Sequence, residues 1–232
     1  MISRLSVRSV LCLAVFSAGP AFAQLDLRPK TGTPSPASEA IRKAAPPPNI
    51  SSMDAATIVQ KANAYFNSVT TMTADFTQIG ADGRQTSGKF YLQKPGRLRF
   101  VYNPPSPLEI IADGRSVAVR NRKLAKQDLY FIGQTPLKFL LNKQINLARD
   151  TRVLEAKSGP DQTYIHIEDK ATFGGTSRIQ LFFDPTTFAL TRWVVLDPQG
   201  FETRVSLAKV DLQAKPDPGL FQINYERLDT QQ

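Results

Sequence analysis

Nucleophilic and metal-assisted catalysis draw on histidine, cysteine and converging carboxylates, and this chain is sparing with the first two. Its one histidine, His166, sits in the stretch QTYIHIED. Ile165 and Ile167 alternate there with Tyr164 and His166, which reads as a strand with the imidazole on the outward face. Any Ser-His-Asp triad would have to use that residue. No HExxH occurs, and no Cys/His cluster has zinc spacing. The glycine pair Gly174-Gly175 lies in TFGGTS, without the lysine and helix that a phosphate loop needs, and reads as a hairpin turn. Glu168 and Asp169 stand at a strand end, where solvated charge is the ordinary outcome. A two-carboxylate hydrolase is the enzyme alternative, because such carboxylates meet only in the folded chain. No spacing favours it, so the reading is a protein without enzymatic chemistry, metal or cofactor.

The one cysteine, Cys12, lies in MISRLSVRSVLCLAVFSAGPAFA. Arg4 and Arg8, the apolar run from Val10 to Phe16 and the small-x-small triplet Ala21-Phe22-Ala23 make residues 1–23 a secretory signal peptide cleaved after Ala23. Leu11 stands where lipoprotein processing wants a small residue, so Cys12 is read as part of the signal core. The mature chain then has no disulfide, and its stability must come from packing. It keeps 27 basic against 20 acidic residues. Export argues against nucleic acid as the partner of that excess, and the scattered cations read as a solvated surface.

Residues 24–50 hold six prolines and no apolar period, as in a disordered linker. The body is a single domain within 51–232. It opens with SMDAATIVQKANAYFNSV, where Ile58, Val59, Ala62, Tyr65, Phe66 and Val69 recur at helical spacing behind an Asp54 cap. Short alternating segments then follow between turn signals such as Asp82-Gly83, Pro95-Gly96, Asp113-Gly114 and Asp184-Pro185. Thr135-Pro136 opens a short apolar helix with Leu137, Phe139, Leu140 and Leu141, and a last strand is expected in LFQINYE. The count of about 11 strands and two main helices implies a mainly β fold. We expect a strongly curved antiparallel sheet with helices covering its concave apolar face. In the stretch RLRFVY, Leu98, Phe100 and Tyr102 share one face, while Arg97, Arg99 and Val101 share the other and face water. An inward face of that kind is either packed core or the wall of a cavity.

Several pieces occur together in order: the amphipathic helix, Ala74-Asp75-Phe76-Thr77-Gln78, Gly88-Lys89-Phe90-Tyr91-Leu92, the run Lys94 to Tyr102, the turn Ile111-x-Asp113-Gly114 and the run Thr135 to Leu141. In this the chain resembles the LolA-type periplasmic lipoprotein carriers across nearly all of 52–228. The resemblance implies that the sheet is a strongly curved, incomplete antiparallel barrel with the helices as its lid. It also implies a monomeric periplasmic chaperone whose cavity takes lipoprotein acyl chains. Its partners would be an inner-membrane lipoprotein-releasing ABC transporter and an outer-membrane acceptor, with no cofactor. The wall would comprise Phe76, Phe90, Leu92, Leu98, Phe100, Tyr102, Ile110, Phe139 and Leu140. At the position of Lys94 the family commonly has an arginine that ties lid to barrel. Lysine keeps the charge without the planar five-donor fork, which implies a looser or differently arranged closure. A LolB-like acceptor, or another lipid-binding or lipid-sensing protein of the same fold, is the nearest alternative.

Overall fold

The computed structural model describes residues 53–226. The expected signal segment 1–23 and linker 24–50 lie outside the described residues. Helix α1 (Ala55–Ser68) starts where Asp54 accepts the Thr57 N–H at 2.8 Å. It buries Ile58, Ala62 and Phe66, one stripe at four-residue spacing.

Eleven strands follow: β1 (Thr71–Ile79), β2 (Gln85–Gln93), β3 (Arg97–Tyr102), β4 (Leu108–Asp113), β5 (Ser116–Asn121), β6 (Lys126–Phe131), β7 (Arg152–Ser158), β8 (Thr163–Thr172), β9 (Gly175–Phe183), β10 (Leu190–Leu196) and β11 (Glu202–Asp211). They form one antiparallel sheet in the order β6-β5-β4-β3-β2-β1-β11-β10-β9-β8-β7. Each strand pairs with its sequence neighbour except at β1–β11, which joins two meanders, and at the unpaired edges β6 and β7. The sheet is curved and unclosed. Chain 132–151 crosses between its two edges and carries α2 (Lys138–Leu141) and α3 (Leu147–Asp150).

Alternation sets the inner face. On β3 it buries Leu98, Phe100 and Tyr102. On β9 it buries Ser177, Ile179, Leu181 and Phe183. Gly88 shows why a glycine leads its motif. A Cβ there would lie 1.9 Å from the Val101 carbonyl oxygen and 2.9 Å from the Phe76 ring. The bare backbone leaves room for that ring against β2.

Three expectations change. The helix expected to open at Thr135-Pro136 begins only at Lys138 and is one turn long. The Thr135 hydroxyl donates back to the Ile132 carbonyl at 2.8 Å, which continues the preceding turn instead of capping a new one. The expected last strand is absent: Pro218–Phe221 is a 3₁₀ turn, and the segment to Tyr225 runs over the outer face. Its side chains Phe221 and Ile223 are buried there. Arg99 is therefore only partly exposed. Its Nη1 donates to the Leu220 carbonyl at 2.9 Å, and its Nη2 pairs with Glu109, which also pairs with Arg120.

Candidate functional site

The concave face is where the sequence candidates converge. Phe76, Phe90, Leu92, Leu98, Phe100, Tyr102, Phe139 and Leu140 belong to one buried cluster, none more than 4% exposed, and Ile110 packs against it half-buried. The first six, from β1 to β3, form the floor; Phe139 and Leu140 come from α2 above it. Exposure that low means these side chains largely fill the concavity themselves, with a cavity of about 10 Å³ beside Phe139.

Sequence reasoning missed the other half of this cluster. Trp193 on β10 meets Phe90, Phe100 and Phe139 with ring centroids 6.0–6.5 Å apart. Phe66 on α1 meets Phe139 at 5.9 Å and Phe183 at 5.8 Å. Such tilted and edge-on contacts each add about 0.5–1.5 kcal/mol beyond burial. The run LTRWVVL carried a signal for Trp193, because it shares strand parity with the buried Val195.

The cover is α1 together with segment 132–151, and few polar contacts tie it down. The Asn67 side chain receives the Ile145 N–H at 2.8 Å and donates to the Ile145 carbonyl at 2.9 Å. Asn63 accepts the Leu147 N–H at 2.9 Å. These contacts bind the two parts of the cover to each other. To the sheet, the cover is tied at the β2–β3 turn, where Gly96 N–H donates to the Leu141 carbonyl at 2.8 Å. Beside it the Lys94 ammonium donates to the Phe66 carbonyl at 2.5 Å, at the last turn of α1. Burial pulls the Lys94 pKa down to about 8. Two further ties join Lys138 of α2 to Asp169 of β8 at 2.7 Å and the Phe173 N–H, at the β8–β9 turn, to the Gln134 carbonyl at 2.7 Å. Asp169 is thus a correction: it is 2% exposed and paired, where the sequence suggested solvated charge. Its parity with Ile165 and Ile167 was the readable signal.

The floor also holds the Tyr102 hydroxyl, which donates to Gln78 at 2.8 Å, and burial pushes that phenol above its usual range. His166 lies half-buried between Tyr164 and Glu168 on the other side of β8. Among the described residues no three His, Cys, Asp or Glu side chains converge as metal ligands. No described helix is long and apolar enough to cross a membrane. Outside the cluster, an open cleft of about 450 Å³ is lined by Asn67, Lys143, Gln144, Ile145, Asn146 and Arg149, a polar surface next to the cover.

An unclosed barrel with an aromatic concavity under a helical cover defines a lidded half-barrel. Residues 67–224 match the family model for the outer membrane lipoprotein carrier protein LolA, and the chain belongs to that family. The outer-membrane lipoprotein carrier protein of Legionella pneumophila (strain Lens) is 30% identical over 166 residues, 68% of this chain and 81% of that protein. That of Methylococcus capsulatus is 28% identical over 169 residues, 69% of this chain and 80% of that protein. A solved LolA superfamily protein of Nitrosomonas europaea covers 75% of this chain and 99% of its own at 12% identity, with a TM-score of 0.41.

Proposed function

We propose that the protein is a periplasmic carrier. It takes the acyl chains of lipoproteins released by an inner-membrane ABC transporter and delivers them to an acceptor at the outer membrane. On this reading residues 1–23 direct export, the chaperone works as a monomer, and it performs no covalent chemistry. The observation that carries the reading is the continuous apolar cluster that joins sheet and cover and leaves only a few polar ties between them.

The energetics suit a carrier. Hiding an acyl chain from water is worth ~0.8 kcal/mol per methylene, so a long chain gains on the order of 10 kcal/mol gross. The closed concavity already buries its own side chains, and those contacts are lost when a chain enters. Net affinity is the difference between the two, which permits both capture and release. Phe76, Phe90, Leu92, Leu98, Phe100, Tyr102, Ile110, Phe139 and Leu140 would form the acyl surface once the cover lifts, and Lys94 would hold the cover when the site is empty.

Native mass spectrometry of residues 24–232 tests this. The mature chain is mixed with a triacylated lipoprotein and, separately, with the same lipoprotein lacking its acyl groups. The expected result is a one-to-one complex with the acylated form alone. No complex with either would make the concavity a permanent core and remove the carrier reading.

A further inference from the structure

The inner face holds an ion pair among apolar side chains. Asp169 follows Ile165 and Ile167 at two-residue spacing on β8 and shares their face. Its Oδ1 accepts from Lys138 Nζ at 2.7 Å and from the Ala171 N–H at 3.0 Å. Its Oδ2 is buried and accepts nothing, the one carboxylate oxygen so placed among the described residues. The pair lines a cavity of about 10 Å³ with apolar residues such as Phe139, Ile167 and Ile179 and with the polar Asn142, Asp150 and Thr151.

Stability does not account for this arrangement. A well-packed apolar pair of similar volume serves a core as well as a buried ion pair, or better. A buried oxygen without a donor is a further cost. The other fully buried polar residues are satisfied within the protein: Thr135 by Ile132, Thr163 by Ser158, Thr172 by Ser177 and Gly175, and Glu109 on the outer face by two arginines. Tyr65 Oη, Arg99 Nε and Arg192 Nε also lack a partner, but on side chains that keep some contact with water. Sites for apolar ligands carry a few placed polar groups that fix the ligand's orientation. Asp169 and Lys138 have that character: one spare acceptor and one cation, a few ångströms apart, at the edge of an apolar surface.

On the carrier reading above, we infer that Lys138 and Asp169 form the subsite for the polar head of the cargo, where the acyl chains meet the peptide. An N-acylated, ester-bearing head offers an amide N–H donor and several carbonyl acceptors within a few bonds. Asp169 Oδ2 takes the N–H, and the Lys138 ammonium donates to a carbonyl. The chains then run over the aromatic floor.

The test compares two ligands by equilibrium fluorescence titration: a synthetic triacylated lipopeptide, and diphenylhexatriene, a hydrocarbon with no amide or ester. The variants are Asp169→Asn and the double change Lys138→Met with Asp169→Leu. The double variant keeps side-chain volume and leaves no lone charge, so it folds if the pair is dispensable for packing; its melting temperature is checked first. In the double variant lipopeptide affinity should fall about tenfold, as for a lost charge-assisted hydrogen bond, with diphenylhexatriene affinity unchanged. Asp169→Asn keeps an acceptor oxygen and should lose less. Equal weakening of both ligands would reduce the pair to a prop for the cover and overturn the assignment. So would unchanged binding of both. A wild-type chain that binds diphenylhexatriene but not the lipopeptide would instead remove the carrier reading, and the subsite with it.

Discussion

Two segments cover the sheet, one on each face, and they are held differently. The concave cover, α1 with segment 132–151, sits on rings from both meanders and is tied to the sheet by Lys94 and Lys138 and by backbone bonds at Leu141 and Gln134. Both cations are largely withdrawn from water. The convex cover, residues 218–225, is pinned by Arg99 to the Leu220 carbonyl, Gln127 to the Asn224 carbonyl and the Tyr225 hydroxyl to Asp113. Its one cation is already neutralised by Glu109. Opening the first cover would therefore return charges to water, whereas lifting the second would leave its ion pair assembled on the sheet. The concave cover is the one whose polar ties offset part of the cost of opening.

The largest effect that tests this contrast comes from cutting one ring from each cover. Phe66→Ala removes the ring that meets both Phe139 and Phe183, and should cost about 3–5 kcal/mol in urea unfolding. Phe221→Ala makes the same cut under the convex cover. Because that segment can detach without opening the aromatic cluster, the cost should be about 1–2 kcal/mol. Equal costs would mean that the two covers are parts of one cooperative core, and the contrast would fail.

A middling effect sharpens the convex side. Glu109→Ala leaves Arg99 and Arg120 facing each other without their shared carboxylate. It should cost about 2 kcal/mol, since both arginines retain some exposure to water. The segment over Arg99 should also become more open to proteolysis near Leu220. A variant as stable as the wild type, with unchanged cleavage, would show that the tail is held by Phe221 and Ile223 alone.

The difference between the covers also marks what the sequence could tell. Two-residue alternation and Gly/Pro turn signals placed the strands and their inner face, because each strand states its own parity. Phe76, Phe90 and Phe100 were legible for that reason. That they fill the concavity was not: a packed floor and an empty wall require the same residues. Lys138 and Asp169 lie 31 positions apart, and no local pattern pairs them. Arg99 looked solvated because its cover arrives from residue 220, more than a hundred positions on. The tail itself carried an apolar pattern, and the prolines at 216 and 218 sent it into a 3₁₀ turn instead of a strand.

The smallest effect concerns Lys94. Its ammonium, held against the Phe66 carbonyl, has a pKa of about 8 in the closed protein, against the ordinary lysine value near 10.4 when exposed. Below pH 8 both forms carry the proton, and the cost of burying it weighs fully on the closed form. Between about pH 8 and 10.5 the exposed lysine holds more protons than the buried one, so closure gains stability as the pH rises. Arginine does not titrate in this range, so Lys94→Arg is the reference that cancels every other group. The melting temperature of the wild type minus that of the variant should rise by about 2–4 °C from pH 7.5 to 10, a change of ~1 kcal/mol after allowing for the partial exposure of the ammonium. A flat difference would mean that Lys94 keeps its water in the closed protein. The concave cover would then be tied by hydrogen-bond geometry alone, as the convex one is, and the asymmetry between the two would rest on Lys138 and Asp169.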